Sequence, residues 1–155
     1  MSQTLQRFLT LKGYQHIFLE QNGAGHYQIT AQLNQVNTSF IIDTGASRTV
    51  IDHERATVLG LISEDDSLQA AGLGGREMKT RISHDNLLTI AGMDIPSVVI
   101  TLLDLSHVNY ALESFGDIPV DGVIGLDILH DLKAVIDYGN SVMYFQNPAQ
   151  NGKAA

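Results

Sequence analysis

The sequence predicts a mainly β domain with short helices, and three observations carry that prediction. Short apolar runs recur between turns rich in glycine and asparagine. Within residues 26–33, Tyr27, Ile29, Ala31 and Leu33 alternate onto one face, the two-residue period of a half-buried strand. The segments that read as helical, 2–12, 52–59 and 126–132, are all short. The chain has 155 residues, of which 44% are hydrophobic, enough for one globular core. It shows no internal repeat and no linker.

Taken in order, residues 2–12 place Leu5, Phe8 and Leu9 on one helical face, with Gly13 as the stop. Residues 16–20 and 26–33 are predicted strands, separated by the turn Asn22-Gly23-Ala24-Gly25. A second turn at residues 34–37 leads into a strand over 38–43. Residues 48–51 continue as a strand. Asp52 then caps a helix that runs to Leu59 and stops at Gly60. Residues 68–90 read as a β-hairpin with its tip at 72–75, and 93–105 as a strand region that Pro96 interrupts near its start. Residues 108–119 read as connection, 120–124 as a buried strand and 126–132 as a short helix. A hairpin, 134–138 with 141–145, closes the domain around Gly139-Asn140, and the small polar residues after Pro148 are expected to form a flexible tail.

Composition excludes several classes of function. The net charge of −8 arises from 17 acidic and 9 basic residues with no basic cluster, so a nucleic-acid footprint is lacking. The absence of cysteine excludes disulfides and thiolate chemistry and fits a reducing compartment. No segment approaches the roughly 18 apolar residues of a membrane span, and residues 1–20 lack a signal-peptide core. A cytoplasmic location is therefore expected, or a periplasmic one had targeting residues been removed. The six histidines, at 16, 26, 53, 84, 107 and 130, show no short ligand spacing, so no metal is expected. Ser47 lacks the Gly-x-Ser-x-Gly elbow of serine hydrolases. Asp104, Asp117, Asp121 and Asp137 lie near turns and read as solvated or capping groups.

Three features remain that belong to one chemistry. Phe40-Ile41-Ile42 runs into Asp43-Thr44-Gly45-Ala46-Ser47, an apolar strand that ends in a carboxylate and turns at once. Asp and Gly are also ordinary turn residues, so this segment alone is compatible with a purely structural role. Two carboxylates held close share one proton and can serve as base and acid together, which is what amide hydrolysis by water requires. Asp43-Thr44-Gly45 occurs once, so a second chain must supply the other carboxylate. The second feature is Ala70-Ala71-Gly72-Leu73-Gly74-Gly75, a mobile hairpin tip or a plain flexible turn. It is no phosphate loop, because no Gly-Lys-Ser/Thr follows. The third is Gly122-Val123-Ile124-Gly125 with Leu126-Asp127-Ile128-Leu129, a buried strand stopped by glycine before a helix.

In this order the three features resemble the retropepsin-like aspartic proteases, the single-lobe relatives of pepsin, over roughly residues 26–146. Residues 41–51 with Ala56 and Leu59-Gly60-Leu61 are similar to the bacterial single-domain branch rather than the viral enzymes. The resemblance implies a single-lobe closed β-barrel over 26–147, preceded by an extension over 1–25 and followed by a tail over 148–155. It implies catalysis by Asp43 with Thr44 and Gly45 locking the loop, and Ala46 beside the substrate. Residues Ala70, Ala71, Gly72, Leu73, Gly74 and Gly75 would form a flap, and Val123, Ile124 and Gly125 the element packed beneath the site. It further implies a homodimer acting on a peptide or protein substrate, with no cofactor and no metal.

Two departures stand out. The viral enzymes often carry an acid just after the catalytic loop and a base after the second glycine. Here Arg48 and Asp127 reverse those charges, and an Arg48–Asp127 pair is expected. The flap also lacks a tyrosine, since Tyr14, Tyr27, Tyr110, Tyr138 and Tyr144 all lie elsewhere. Beside the aspartic endopeptidase stand a catalytically silent dimeric module that holds an extended peptide or partner protein, and a processing enzyme dedicated to one protein.

Overall fold

A computed structural model describes residues 2–65 and 80–148. Helix α1 (Ser2–Leu11) is followed by strands β1 (Gln15–Phe18), β2 (Glu20–Gln21), β3 (Tyr27–Leu33), β4 (Val36–Ile42) and β5 (Val50–Asp52). A 3-10 helix (His53–Arg55) leads to β6 (Ser63–Asp65), and β7 (Arg81–Ile90) and β8 (Met93–Leu103) form a long antiparallel pair. Helix α2 (Ser106–Ser114), β9 (Gly122–Ile124), helix α3 (Leu126–Asp131), β10 (Val135–Asp137) and β11 (Val142–Phe145) complete the chain.

The main sheet runs β2-β3-β4-β9-β5-β8-β7-β6, and β3 also pairs with β7. That extra pairing, Gln32 with Thr89 and Leu33 with Leu88, closes β3, β4, β9, β5, β8 and β7 into a six-stranded barrel. Closure pairs otherwise open stretches of β3 and β7, leaving only the short β2 and β6 as edge strands of this sheet, and lets inward residues fill the interior. Leu33, Phe40, Ile51, Leu88, Ile90, Ile100 and Ile124 are fully buried there. A second apolar cluster, on the other face of β4, β9 and β5, joins Ile41, Val50 and Val123 to Leu105, Leu112 and Val120 of the α2 segment. β1, β11 and β10 form a separate three-stranded sheet against which α1 lays Leu9 beside Val142 and Tyr144.

The strand alternation predicted for 26–33 is observed, with Ile29, Ala31 and Leu33 buried and Thr30 and Gln32 exposed. Asn34 and Gln35, at φ 50 and 70, make the tight turn that sets β3 against β4. Several expectations need correction. Of the predicted α1 face, Leu9 is buried but Phe8 is 56% exposed. The expected helix after Asp52 is a single 3-10 turn, capped by that carboxylate and followed by turns up to Gly60, whose φ is +66. Pro96 does not break β8. It falls where the β7–β8 register shifts, beside Ser97 at φ 58, an irregularity that needs no N–H from proline. The segment expected as connection contains α2, whose Leu105, Val108 and Leu112 dock at helical spacing. The predicted hairpin tip at 72–75 lies outside the described residues.

Candidate active site

The loop 43–49 joins β4 to β5, and β9 threads between those two strands, parallel to β4 and antiparallel to β5. The Asp43 N–H donates to the Ile124 carbonyl at 3.0 Å, so the β4–β9 ladder extends to the carboxylate residue itself. Burial of Val123 and Ile124 on opposite faces drives this insertion, each side chain entering a different apolar cluster. Gly122 is required by space: a Cβ there would collide with the Val50 carbonyl and lie 2.6 Å from Ile51 Cδ1.

Within the loop, Gly45 N–H donates to Asp43 Oδ1 at 2.8 Å, and Ala46 N–H to the Asp43 carbonyl at 3.3 Å. The first bond orients one carboxylate oxygen and the second tightens the turn, both from backbone donors. Asp43, Thr44 and Gly45 are exposed and Ala46 is half-buried, so the tip of the loop faces outward from the single chain.

The loop rests on the start of α3. Leu126 N–H donates to the Ala46 carbonyl at 2.7 Å. A Cβ on Gly125 would lie 2.6 Å from the Arg48 carbonyl oxygen and 2.7 Å from that of Ala46. At φ −104 any residue could adopt the Gly125 backbone, so close approach and not conformation demands glycine. Thr49, fully buried, ties the pieces together: its N–H and hydroxyl donate to Asp127 at 3.0 and 2.7 Å, and its hydroxyl accepts from Gly125 N–H at 3.1 Å. Asp127 also accepts from Ile128 N–H at 2.8 Å, satisfying an orphan donor of the first turn of α3. The expected role of Arg48 toward Asp127 is thus filled by Thr49. A buried hydroxyl within reach of two backbone segments satisfies the carboxylate without the cost of burying a guanidinium.

At the other end of β9, Asp121 is a half-buried acceptor rather than a solvated group. It takes hydrogen bonds from Ser39 N–H at 2.9 Å, Ser39 hydroxyl at 3.2 Å and Arg55 Nε at 2.8 Å. Asp104, Asp117 and Asp137 cap nearby N–H groups, of Ser106, of Gly23 and Ala24, and of Asn140.

The fold therefore brings Asp43, Thr44, Gly45 and Ala46 together above Val123, Ile124 and Gly125, while residues 70–75 lie outside the described part. Sequence reasoning missed Thr49 and the Asp121–Ser39–Arg55 group. The signal for Thr49 was its place between a charged residue and an apolar strand, where a buried threonine needs a partner.

The aspartyl protease family profile matches residues 29–128, which span the loop, β9 and the start of α3. The chain belongs to the aspartyl protease family. Its architecture is similar to that of a retropepsin-like aspartic protease from Rickettsia conorii, at 21% identity and TM-score 0.58 over 86% of this chain and 90% of that one. It is also similar to the retroviral protease-like domain of Ddi1 from Leishmania major, at 22% identity and TM-score 0.53 over 79% and 89%. The EIAV protease in complex with the inhibitor HBY-793 aligns at 21% identity and TM-score 0.50 over 72% and 92%. At these identities the likeness is one of fold. A search of curated proteins finds no match. Among the described residues, no helix of this aspartyl protease family member is long and apolar enough to cross a membrane.

Proposed function

We propose that the chain is an aspartic endopeptidase that works as a homodimer, with one Asp43 from each copy at the reaction centre. The observation that carries this reading is the single outward-facing Asp43, oriented by Gly45 N–H and held on a loop buttressed from below. One carboxylate alone can accept or donate a proton but cannot do both in one step. Two sharing a proton can.

In this reading the ionised Asp43 takes a proton from water as the water oxygen attacks the scissile carbonyl. The protonated Asp43 of the other copy gives its proton to the carbonyl oxygen, and a tetrahedral diol forms. As the diol collapses, the now ionised Asp43 takes a proton from one of the diol hydroxyls, while the now protonated Asp43 gives its proton to the amide nitrogen. The C–N bond breaks and the pair again holds one proton. Thr44 and Gly45 hold the two loops together. An extended peptide lies across the pair, bonded along its backbone between Ala46 and the 70–75 segment, with Val123, Ile124 and Gly125 supporting the floor.

The test is a mass-spectrometric digest of a diverse peptide library at about pH 4 to 7, comparing the unaltered chain with Asp43→Asn. Cleavage by the unaltered chain alone supports the proposal. Cleavage by both places the chemistry elsewhere, and cleavage by neither favours a module that holds peptides without cutting them. A shared-proton pair gives a bell-shaped rate profile on the acidic side of neutrality, and a rate that climbs steadily through about pH 8 contradicts it.

A further inference from the structure

Away from the loop, the parallel strands β5 and β8 end side by side, with Asp52 opposite Leu103. This register sets Asp52 and His53 beside Asp104, although the two segments are far apart in sequence. One ligand atom from each of the three lies within 4.8 Å of the other two. His53 Nδ1 and Asp52 Oδ1 are 3.4 Å apart, close to the spacing of two ligands held about 2.0–2.1 Å from one tetrahedral ion. The sequence hides this grouping because its members come from different strand ends.

We propose that Asp52, His53 and Asp104 form a binding site for a divalent transition-metal ion of the zinc class. Two carboxylate oxygens and one imidazole nitrogen form a mixed oxygen–nitrogen set, which suits zinc with water completing the shell. Ser106 N–H donates to Asp104 Oδ1 at 2.8 Å and holds that carboxylate at the start of α2, facing the 3-10 turn. His53 is half-exposed, which leaves the ion a path to the site.

An ion there would clip the 3-10 turn His53–Arg55 to the start of α2. Arg55 of that turn holds Asp121 at the foot of β9, and α2 packs beneath Val50 and Val123. The site would thus brace β9 and its neighbour β5, without touching the reacting groups.

The experiment uses the untagged full chain. Co2+ is titrated as a visible-absorbing surrogate for zinc, and Tm is measured with and without about 0.1 mM Zn2+. His53→Ala and Asp104→Asn are the test variants; the asparagine keeps an oxygen to accept from Ser106, so helix α2 retains its start. The proposal expects visible bands from inner-sphere Co2+, a Tm raised by a few degrees with Zn2+, and loss of both effects in each folded variant. Absence of binding to the unaltered chain overturns it. So does binding that persists undiminished in His53→Ala and Asp104→Asn.

Discussion

The loop 43–49 with its β9–α3 support, and the segment 104–121 that packs against the same sheet, are held in opposite ways. The first is fixed by backbone hydrogen bonds, close glycine contacts and one buried side-chain pair, Thr49 with Asp127. Asp43 bonds Ile124, Leu126 bonds Ala46, Thr49 bonds Asp127 and Gly125, and two glycines leave no room for a Cβ. The second is fixed by a few side chains: Asn109 bridges Val120 in both directions, Asp117 holds the Gly23–Ala24 backbone, and Leu105 and Leu112 anchor an otherwise exposed helix. Tyr110, Phe115 and Ile118 on this segment are all more than half exposed. Holding a carboxylate in one place needs the first kind of support, since any slack in the loop moves Asp43. A peripheral helix needs only enough burial to stay docked.

The largest effect that this contrast predicts is at Gly125. Gly125→Ala forces a methyl onto two carbonyl oxygens, and is expected to cost about 4 kcal/mol or to prevent folding, read by urea denaturation. A loss below about 1 kcal/mol would mean that the loop yields, and the contrast would break. Next comes Asp127→Ala, which strands the N–H and hydroxyl of the buried Thr49 and should cost about 3 kcal/mol together with any peptidase activity. Asn109→Ala should cost about 1–2 kcal/mol, with peptide cleavage kept, because the bridge it removes serves the peripheral segment alone. Ile118→Ser, at an 82% exposed side chain, should change stability by no more than about 0.5 kcal/mol. Were the last two to match the first two, the segments would be equally constrained.

The same contrast explains what was legible in the sequence. The strand and turn over 40–47 and the buried strand and helix over 122–129 are legible because close backbone approach leaves glycines, and a buried strand leaves an unbroken apolar run. The tight turn at Asn34 and Gln35, and the closing hairpin around Gly139-Asn140, are similarly written in local residues. Helix α2 is less legible because only Leu105, Val108 and Leu112 carry its apolar spacing, and exposed Tyr110, Phe115 and Ile118 blur it. Barrel closure through Gln32–Thr89 and Leu33–Leu88 leaves no local mark, since it depends on register between distant strands. The Thr49–Asp127 bond is hidden for the same reason, and the charges at Arg48 and Asp127 drew attention away from Thr49. Thr49 is fully buried, whereas Arg48 is only partly so, and the buried group is the one that needs the carboxylate.

The central claim is that two copies of Asp43 act as one catalytic unit, and mixed dimers test it most directly. The unaltered chain and Asp43→Asn are mixed in varying ratio, allowed to exchange subunits, and assayed at constant total protein. The account predicts that cleavage falls with the square of the unaltered fraction, to about a quarter at an equal mixture. A linear fall, to about half, would show that each chain cuts with its own Asp43 and would contradict the shared site.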